Sequence, residues 1–470
     1  MAEQNWLDQV RQGARTFLAK DQVPGMAVAI AEQGETLLAE GFGYRDQAAG
    51  LPVTADTVFG VASVTKSVTA LAIMQLQDAG RLSTADPVTR WLPEFRGPQP
   101  EWVQGITVHH LLTHTSGLPG MRALFHARAG SIARDPNRER LGLVADPQSI
   151  RLIRTYTELM ELMAETDYTL LGPPGAMFNY SNEGFALLQG IIERASDRPF
   201  LEYMQKKVLQ PLGMARSTFL SADLERLDPV TELYASQVVE GRPVVFHAPV
   251  WWDVGEIYTN GSLKSTVLDL LRYLEVYRTG GISGQSRLLS QEAVRQMITP
   301  HVTLPTGRQY GYGLEIQRDY HGVTLVGHGG AIKGVSASVL MALEPGLSTV
   351  TLCNLSGLSP EQVTLGSINL RLGLPWETQR RVYPAYSMDS DQLFTYEGFY
   401  RSDEGEGARV YMSPDGLTVE SGGIARLARP CGPDQVLLIE TGAAVRFMRG
   451  ADGGITGLFT GFRFIPRRHG

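Results

Sequence analysis

A serine and a lysine three residues apart, Ser63 and Lys66, stand near the start of VFGVASVTKSVTALAIMQLQDAG, the stretch from Val58 to Gly80. On a helix, positions three apart share a face, so the ammonium can reach the hydroxyl. A serine hydroxyl is a weak nucleophile at neutral pH and needs a base beside it. A lysine in desolvated or dipole-rich surroundings loses its proton more readily and can be that base. The helix N-terminus adds a field that favours negative charge on the oxygen. The spacing alone is weak, since average composition produces about one such pair by chance in a chain of this size. The competing reading makes Ser63 a helix N-cap and Lys66 a solvated charge.

Lysine usage separates these readings. Only Lys20, Lys66, Lys206, Lys207, Lys264 and Lys333 occur, and arginine supplies nearly all the remaining positive charge. Arginine cannot give up its proton, so a lysine between the apolar flanks FGVA and SVTALAIM reads as chosen for its chemistry. A second segment, PGAMFNYSNEGFALLQGIIE, places Tyr180 and Asn182 just before a helix. A tyrosine hydroxyl can pass a proton to a leaving group, and an asparagine amide can hold a substrate carbonyl and the lysine together. The plainer alternative is a turn tyrosine with an asparagine N-cap. A third segment, LVGHGGAIKGVSASVL, sets His328, Gly329 and Gly330 between two strand-like runs. Paired glycines let a strand approach a ligand closely. The main-chain N–H groups of Ala331 and Ser63 would then form an oxyanion hole, each donor worth ~100-fold in rate. Otherwise the segment is a glycine-rich hairpin with an exposed histidine.

S-x-x-K at Ser63, Y-x-N at Tyr180 and H-G-G at His328, in this order and at these spacings, resemble the serine β-lactamase and penicillin-binding-protein superfamily in its class C-like branch. VPGMAVAI, HLLTHTSGLPG, VLQPLGMARSTF and GSLKSTVLDLLRY extend the resemblance over about Asn5 to Gly373. It implies acylation of Ser63, general acid and base work shared by Lys66 and Tyr180, and a substrate amide oriented by Asn182. His328, Gly330 and Ala331 would line the binding site. Penicillin-recognising members carry K-T-G where this chain has H-G-G. Histidine is only partly charged near neutral pH, which weakens selection for a β-lactam carboxylate. H-G-G is closer to D-aminopeptidase, D-amino-acid amidase and esterase relatives. The resemblance therefore implies a serine hydrolase acting through an acyl-enzyme, first a D-aminopeptidase or amidase, next a carboxylesterase, then a β-lactamase or DD-peptidase. A catalytically retired binding or sensor protein is the reading from another class.

These residues need elements to hold them. MAEQNWLDQVRQGARTFLAK reads as an amphipathic helix, and the turn-like EQGE between apolar runs predicts a hairpin from about Gly25 to Tyr44. A helix-rich middle follows over about 57–298, with helices at Val64 to Ala79, Thr107 to Leu112, Tyr156 to Glu165, Asn182 to Ala195, Phe200 to Val208, Thr266 to Tyr277 and Ser290 to Met297. Asp269, three residues after Thr266, gives the last but one an N-cap signature. Strands return at Gly311 to Arg318, Val323 to Gly327, Ala337 to Leu343 and Ser348 to Asn354, before a helix at Pro360 to Leu372. Strands at both ends of this region predict a mixed α/β (α+β) fold over 1–380, with a helical subdomain inserted at about 57–298 and the site in the cleft between them. From Asp389 the runs shorten and alternate between SPDG, SGG and GADGG, which predicts a small antiparallel barrel over 389–470 after the linker RRVYPAYSMDSD. This module resembles the lipocalin-like barrel of some D-amino-acid-specific peptidases.

Bulk properties exclude several classes. At 470 residues the chain exceeds a single core. A net charge of -7 leaves no basic footprint for nucleic acid. Cys353 and Cys431 cannot build a disulfide framework or a metal site alone. His110 and His114 are four apart, but HHLLTH lacks the glutamate of H-E-x-x-H, and both read as packing residues above a structural loop at Thr113 to Gly117. No cofactor or metal is expected. No G-x-S-x-G is present, which disfavours a nucleophile-elbow hydrolase. Trp251 and Trp252 read as cleft lining, given the glycine and aspartate around them, or otherwise as core. No apolar run is long enough to cross a bilayer, and the first residues lack a secretory signal. The expectation is a soluble, cytoplasmic protein whose partner is a small-molecule or short-peptide substrate, with a homo-oligomer left open.

Overall fold

The computed structural model describes residues 2–142, 150–240, 242–405 and 407–468. Residue 1 and residues 469–470, which close the two expected domain ranges, lie outside them. Helix α1 (Ala2–Lys20) buries Val10, Ala14 and Phe17 on one face. Next come β1 (Gly25–Glu32), β2 (Glu35–Asp46) and β3 (Leu51–Pro52). The β1–β2 turn puts Gln33 and Gly34 both at positive φ, as a two-residue type I′ hairpin requires. Six more strands return late in the chain: β4 (Val302–Thr303), β5 (Gln309–Tyr310), β6 (Glu315–Tyr320), β7 (Val323–Ile332), β8 (Val335–Ala342) and β9 (Leu347–Cys353). All nine form one antiparallel sheet in the order β4-β5-β6-β7-β8-β9-β1-β2-β3. Both ends of the region therefore meet at β1 and β9, paired from Met26↔Cys353 to Glu32↔Leu347.

Alternate residues of β1 serve two cores, because side chains on a strand point to opposite faces in turn. Ala27, Ala29 and Ala31 face α2 (Thr65–Asp78), α3 (Asn182–Ser196) and α4 (Val267–Arg278) together with Val339, Val350 and Leu352. Met26, Val28 and Ile30 face α1 and α5 (Glu361–Arg371). A sheet buried on both sides explains why β1, β8 and β9 read as nearly continuous apolar runs.

The middle of the chain is helix-rich as expected, with short strand pairs among the helices: Phe59–Gly60 with Lys264–Ser265, and Tyr234–Val239 with Arg242–His247. Helix α4 starts as its sequence predicts, with the Thr266 hydroxyl accepting from the Asp269 N–H. Some boundaries differ. The expected helix from Phe200 ends at Tyr203 and continues as a wider π turn over Met204–Leu209. The expected strand from Gly311 begins only at Glu315, because Gly313 takes φ +68 beside α2. A Cβ there would lie 2.9 Å from the Lys66 carbonyl oxygen.

Eight further strands close a separate antiparallel barrel: β10 (Gly398–Arg401), β11 (Gly407–Ser413), β12 (Gly416–Ser421), β13 (Ile424–Gly432), β14 (Gln435–Leu438), β15 (Ala444–Arg449), β16 (Ile455–Thr460) and β17 (Arg463–Arg468). Pairing of Phe399 with Arg468 and Tyr400 with Arg467 joins the last strand to the first. Tyr400, Val410, Val436, Phe447 and Leu458 fill its interior.

Candidate active site

Ser63 sits in a single 3-10 turn, Ala62–Val64, that leads directly into α2. Ala62 holds φ +45, a left-handed conformation that is strained for alanine. Val64 occupies the N-cap position without a side-chain cap, so Ser63 is not spent on capping the helix. Lys66, one turn on, is fully buried. Its Nζ lies 3.1 Å from Ser63 Oγ and donates to the Asn260 carbonyl oxygen at 2.7 Å. Burial pushes the lysine pKa well down, and the positive charges of Arg463 and Arg128 push it further. An amine that gives up its proton here would have a lone pair to offer the serine hydroxyl.

Tyr180 and Asn182 enter through the start of α3. The helix is capped by Ser181, whose hydroxyl accepts from the Gly184 N–H at 2.9 Å. Asn182 is thus the first helical residue and not the cap. It lies half-buried, and among the described residues Lys66 bonds to Ser63 and Asn260 and not to Asn182. The expected asparagine–lysine contact is therefore replaced by a main-chain carbonyl, which accepts from the amine without asking for a second donor. The Tyr180 hydroxyl is buried without a hydrogen-bond partner. Burial raises its pKa, while the neighbouring Ser63 hydroxyl works in the opposite direction. Its ring lies 4.8 Å from Lys66 Nζ on one contact and 4.8 Å from the Arg463 guanidinium on another.

His114 holds this tyrosine from behind. Its ring lies 4.1 Å from that of Tyr180, and Nδ1 accepts the Ser181 N–H at 3.1 Å. Accepting at Nδ1 places the proton on Nε2, which is buried and unpartnered. His114 does pack, as the sequence reading has it, but it packs on Tyr180. His110 instead completes a capping box with Thr107.

Strand β7 forms the opposite wall. The H-G-G segment lies inside one continuous strand, and the expected break after Gly327 does not occur; the chain turns only at Lys333 and Gly334. Gly330 explains the glycine requirement. A Cβ on it would fall 2.1 Å from the Val61 carbonyl oxygen and 3.1 Å from the Ser63 nitrogen. That approach brings Ala331 beside the Ser63 turn. His328 is buried, neither exposed nor partly charged as the sequence suggested. Burial drops its pKa to about 4. Nδ1 meets the Gly329 carbonyl oxygen and Nε2 lies 2.9 Å from the Tyr310 hydroxyl, a pattern that fits a neutral ring with its proton on Nδ1.

The barrel completes the site. The β16–β17 hairpin turns on Gly461 and Phe462, with Gly461 at φ +56 where a type II′ turn calls for glycine. The Phe462 carbonyl accepts the Tyr180 N–H at 3.0 Å, and the Phe464 N–H donates to Asn179 Oδ1 at 2.9 Å. Arg463 reaches over Tyr180 and pairs with Glu404 of the barrel at 2.6 Å. Beneath them Glu183 is fully buried with both carboxylate oxygens unpartnered, and burial with the nearby Glu404 charge pushes it up to about 8. Nothing in GLFTGFRFI distinguishes Phe462 and Arg463 from other barrel residues, so spacing alone could not have found them. His114 was findable, since it stands in a segment that carries the family resemblance.

A pocket of about 290 Å³ opens beside Ala62 and Gly261. Trp251 and Trp252 line it, as the sequence suggested, with Leu233, Val335 and Phe219. Trp252 is pinned by Asp135, which also takes Lys333 at 2.9 Å. Lys264 lies in the wall, its Nζ donating to the Phe219 carbonyl oxygen, and burial drops its pKa to about 8.

The fold and the relatives define a serine hydrolase. The chain belongs to the beta-lactamase family, which matches residues 10–372. It is 26% identical to penicillin-binding protein 4* of Bacillus subtilis (strain 168) over 93% of this chain and 92% of that protein. It is 38% identical to esterase EstB of Burkholderia gladioli over 44% of this chain, spanning half of the esterase's length. With a D-aminopeptidase of Gluconobacter oxydans (strain 621H) it shares 26% identity over 84% of this chain, spanning 66% of that protein's length. The octameric penicillin-binding protein homologue from Pyrococcus abyssi matches in structure with a TM-score of 0.70 and 27% identity, over 98% of this chain and 99% of that one. No described helix is long and apolar enough to cross a membrane.

Proposed function

We propose that this hydrolase cleaves amide bonds of short D-amino-acid-containing peptides or amides through an acyl-enzyme. Ser63 Oγ attacks the carbonyl carbon while Lys66 Nζ takes its proton. The N–H groups of Ser63 and Ala331 receive the oxyanion. Lys66 returns the proton by way of Tyr180 to the leaving amine, the C–N bond breaks, and water then attacks the acyl carbonyl by the reverse proton route. Asn182, Gly330 and His328 line the path of the substrate, and the Trp251 pocket takes the acyl side chain. The observation that carries this reading is His328, neutral and buried where penicillin-recognising members hold a lysine. Without that charge a carboxylate of the penicillin type loses its partner on β7. The D-aminopeptidase relative supports the amide reading. The esterase relative, the most similar of the three in the segment it matches, favours ester cleavage as the second reading.

Steady-state rates on a D-alanyl anilide, an L-alanyl anilide, a p-nitrophenyl ester and a chromogenic cephalosporin test it. The D-alanyl anilide should be cut faster than its L isomer, and the cephalosporin slowest. A cephalosporin preferred by a wide margin overturns the reading. A fluorophosphonate probe should label Ser63; an unlabelled folded protein would instead indicate a retired site. A homo-oligomer is proposed too, on the strength of the octameric homologue, and light scattering over a range of concentrations tests it.

A further inference from the structure

A second cavity, of about 570 Å³, lies away from Ser63 between the sheet-and-helix body, the linker and the barrel. Its floor is the start of α5 with Trp376, and its outer wall is the β14–β15 turn of the barrel, from Ile439 to Ala444. Three guanidinium groups meet there. Arg308 pairs with the buried Glu315. Arg380 takes Glu361 at 2.8 Å and Glu315 at 3.5 Å. Arg381 has no carboxylate within ion-pair distance among the described residues; its neutral partners are the Thr306 carbonyl oxygen, a long contact of 3.5 Å, and the side chain of Tyr383. It is nonetheless half-buried; burial pushes its pKa down, and the like charges of Arg308 and Arg380 act in the same direction, against the more favourable Tyr383 and Glu315. A half-buried guanidinium that faces a cavity without a paired carboxylate leaves room there for a counter-ion.

We propose that this cleft binds a small organic monocarboxylate, an amino acid or a short peptide terminus, with Arg381 as the anchor. The choice of a monoanion follows from the local pairing: Glu315 and Glu361 already engage Arg308 and Arg380, so Arg381 alone among the three has no paired carboxylate. Glu377 and Glu440 also line the cleft and oppose a multiply charged phosphate, while giving an amino acid's ammonium a partner. Leu365, Trp376 and Ile439 supply apolar wall for a side chain. The site communicates with Tyr180. Gly461 lines the cleft, and the Arg308 guanidinium lies 4.5 Å from the ring of Phe462, whose carbonyl holds the Tyr180 N–H. A ligand that tightens Arg381 and Arg308 therefore bears on the hairpin that covers the reacting tyrosine. This inference does not depend on which bond the enzyme cleaves.

The test uses the full chain with Ser63 blocked by a fluorophosphonate, titrated calorimetrically with leucine, with 4-methylpentanoate, which lacks the amine, with isoamylamine, which lacks the carboxylate, and with inorganic phosphate at equal ionic strength. Leucine and 4-methylpentanoate should bind, the amine should not, and phosphate should bind at least tenfold more weakly. Arg381→Gln should weaken leucine at least tenfold while leaving ester hydrolysis without ligand unchanged. Ala443→Trp, which fills the cleft from its rim, should do the same without touching a charge. In the unblocked enzyme leucine should alter kcat for the ester, and both variants should lose that effect. Leucine binding equally well to wild type and both variants would place the ligand elsewhere and overturn the proposal. So would the absence of binding at 10 mM, or phosphate binding as tightly as leucine.

Discussion

Two segments meet at Tyr180 and reach it by opposite routes. The turn at Ser63 brings its groups together over three residues, and the lysine–serine contact needs little more than helical geometry. The barrel hairpin brings Phe462, Arg463 and Phe464 to residues far away in sequence; the bond from Phe464 to Asn179 joins positions 285 apart. The serine–lysine contact lies on the short-range element, and the cover over Tyr180 lies on the long-range one. The comparison predicts that damage to the turn abolishes the reaction, whereas damage to the hairpin changes which substrates are accepted and how fast.

The largest effect is expected from Ser63→Ala, with kcat/KM for an ester falling by at least about 10³-fold while the circular dichroism spectrum and melting temperature stay near wild type. Residual activity within tenfold of wild type would show that another nucleophile works. Lys66→Arg should come close behind, since guanidinium keeps its proton. With lysine in place, the rate should rise with pH through a pKa well below that of an exposed lysine, because burial and the Arg463 and Arg128 charges favour the neutral amine. An arginine variant with substantial activity and the same pH profile would remove Lys66 from the base role.

Gly330→Ala tests the wall facing the turn. A methyl group 2.1 Å from a carbonyl oxygen must displace β7 or the Val61 turn. Destabilisation of about 1–3 kcal/mol is expected, with activity lost beyond the loss of fold, measured by denaturant unfolding alongside kcat. On the long-range side, Phe462→Ala and Arg463→Gln should change kcat/KM by about tenfold, or 1.4 kcal/mol, and by different factors for a D-alanyl anilide and a small ester. Equal factors for every substrate would reduce the hairpin to scaffolding.

A further effect is a slope in stability, read without turnover. His328 has a folded pKa of about 4 against 6.5 for a free histidine, so below pH 6.5 the unfolded chain takes up a proton that the folded one refuses. Stability from this group is complete above pH 6.5 and is lost as pH falls toward 4, at about 1.4 kcal/mol per pH unit. His328→Gln should flatten that part of the pH–stability curve, measured by urea unfolding between pH 4.5 and 7. An unchanged slope would show that the ring is protonated without penalty.

Legibility follows the same division. The central sheet was readable because β1, β8 and β9, buried on both faces, write continuous apolar runs. The barrel was readable from alternation and turn residues. That Ser63, Lys66, Tyr180 and the glycines of β7 come together was readable from residue type, spacing and the family resemblance. His328 was found, yet its charge state was not, because burial is a property of what packs around a residue and the Tyr310 contact is absent from any local window. Asn182 was given the lysine as a partner, but the main chain at Asn260 is the acceptor, and a carbonyl leaves no trace in side-chain identity. Phe462 and Arg463 were invisible for the strongest reason: their contact with Tyr180 exists only where the barrel meets the sheet-and-helix body.

That docking also bears on kinetics. Contacts of such long sequence separation carry a large loop-closure cost and form late. The serine–lysine turn can assemble with its own helix, but the hairpin can reach Tyr180 only after the sheet has gathered both ends of its region and the barrel has closed. In refolding from urea, far-ultraviolet ellipticity should therefore recover in an earlier phase than substrate turnover. The interval between them is the lifetime of a chain whose serine–lysine turn is set and whose roof is still missing.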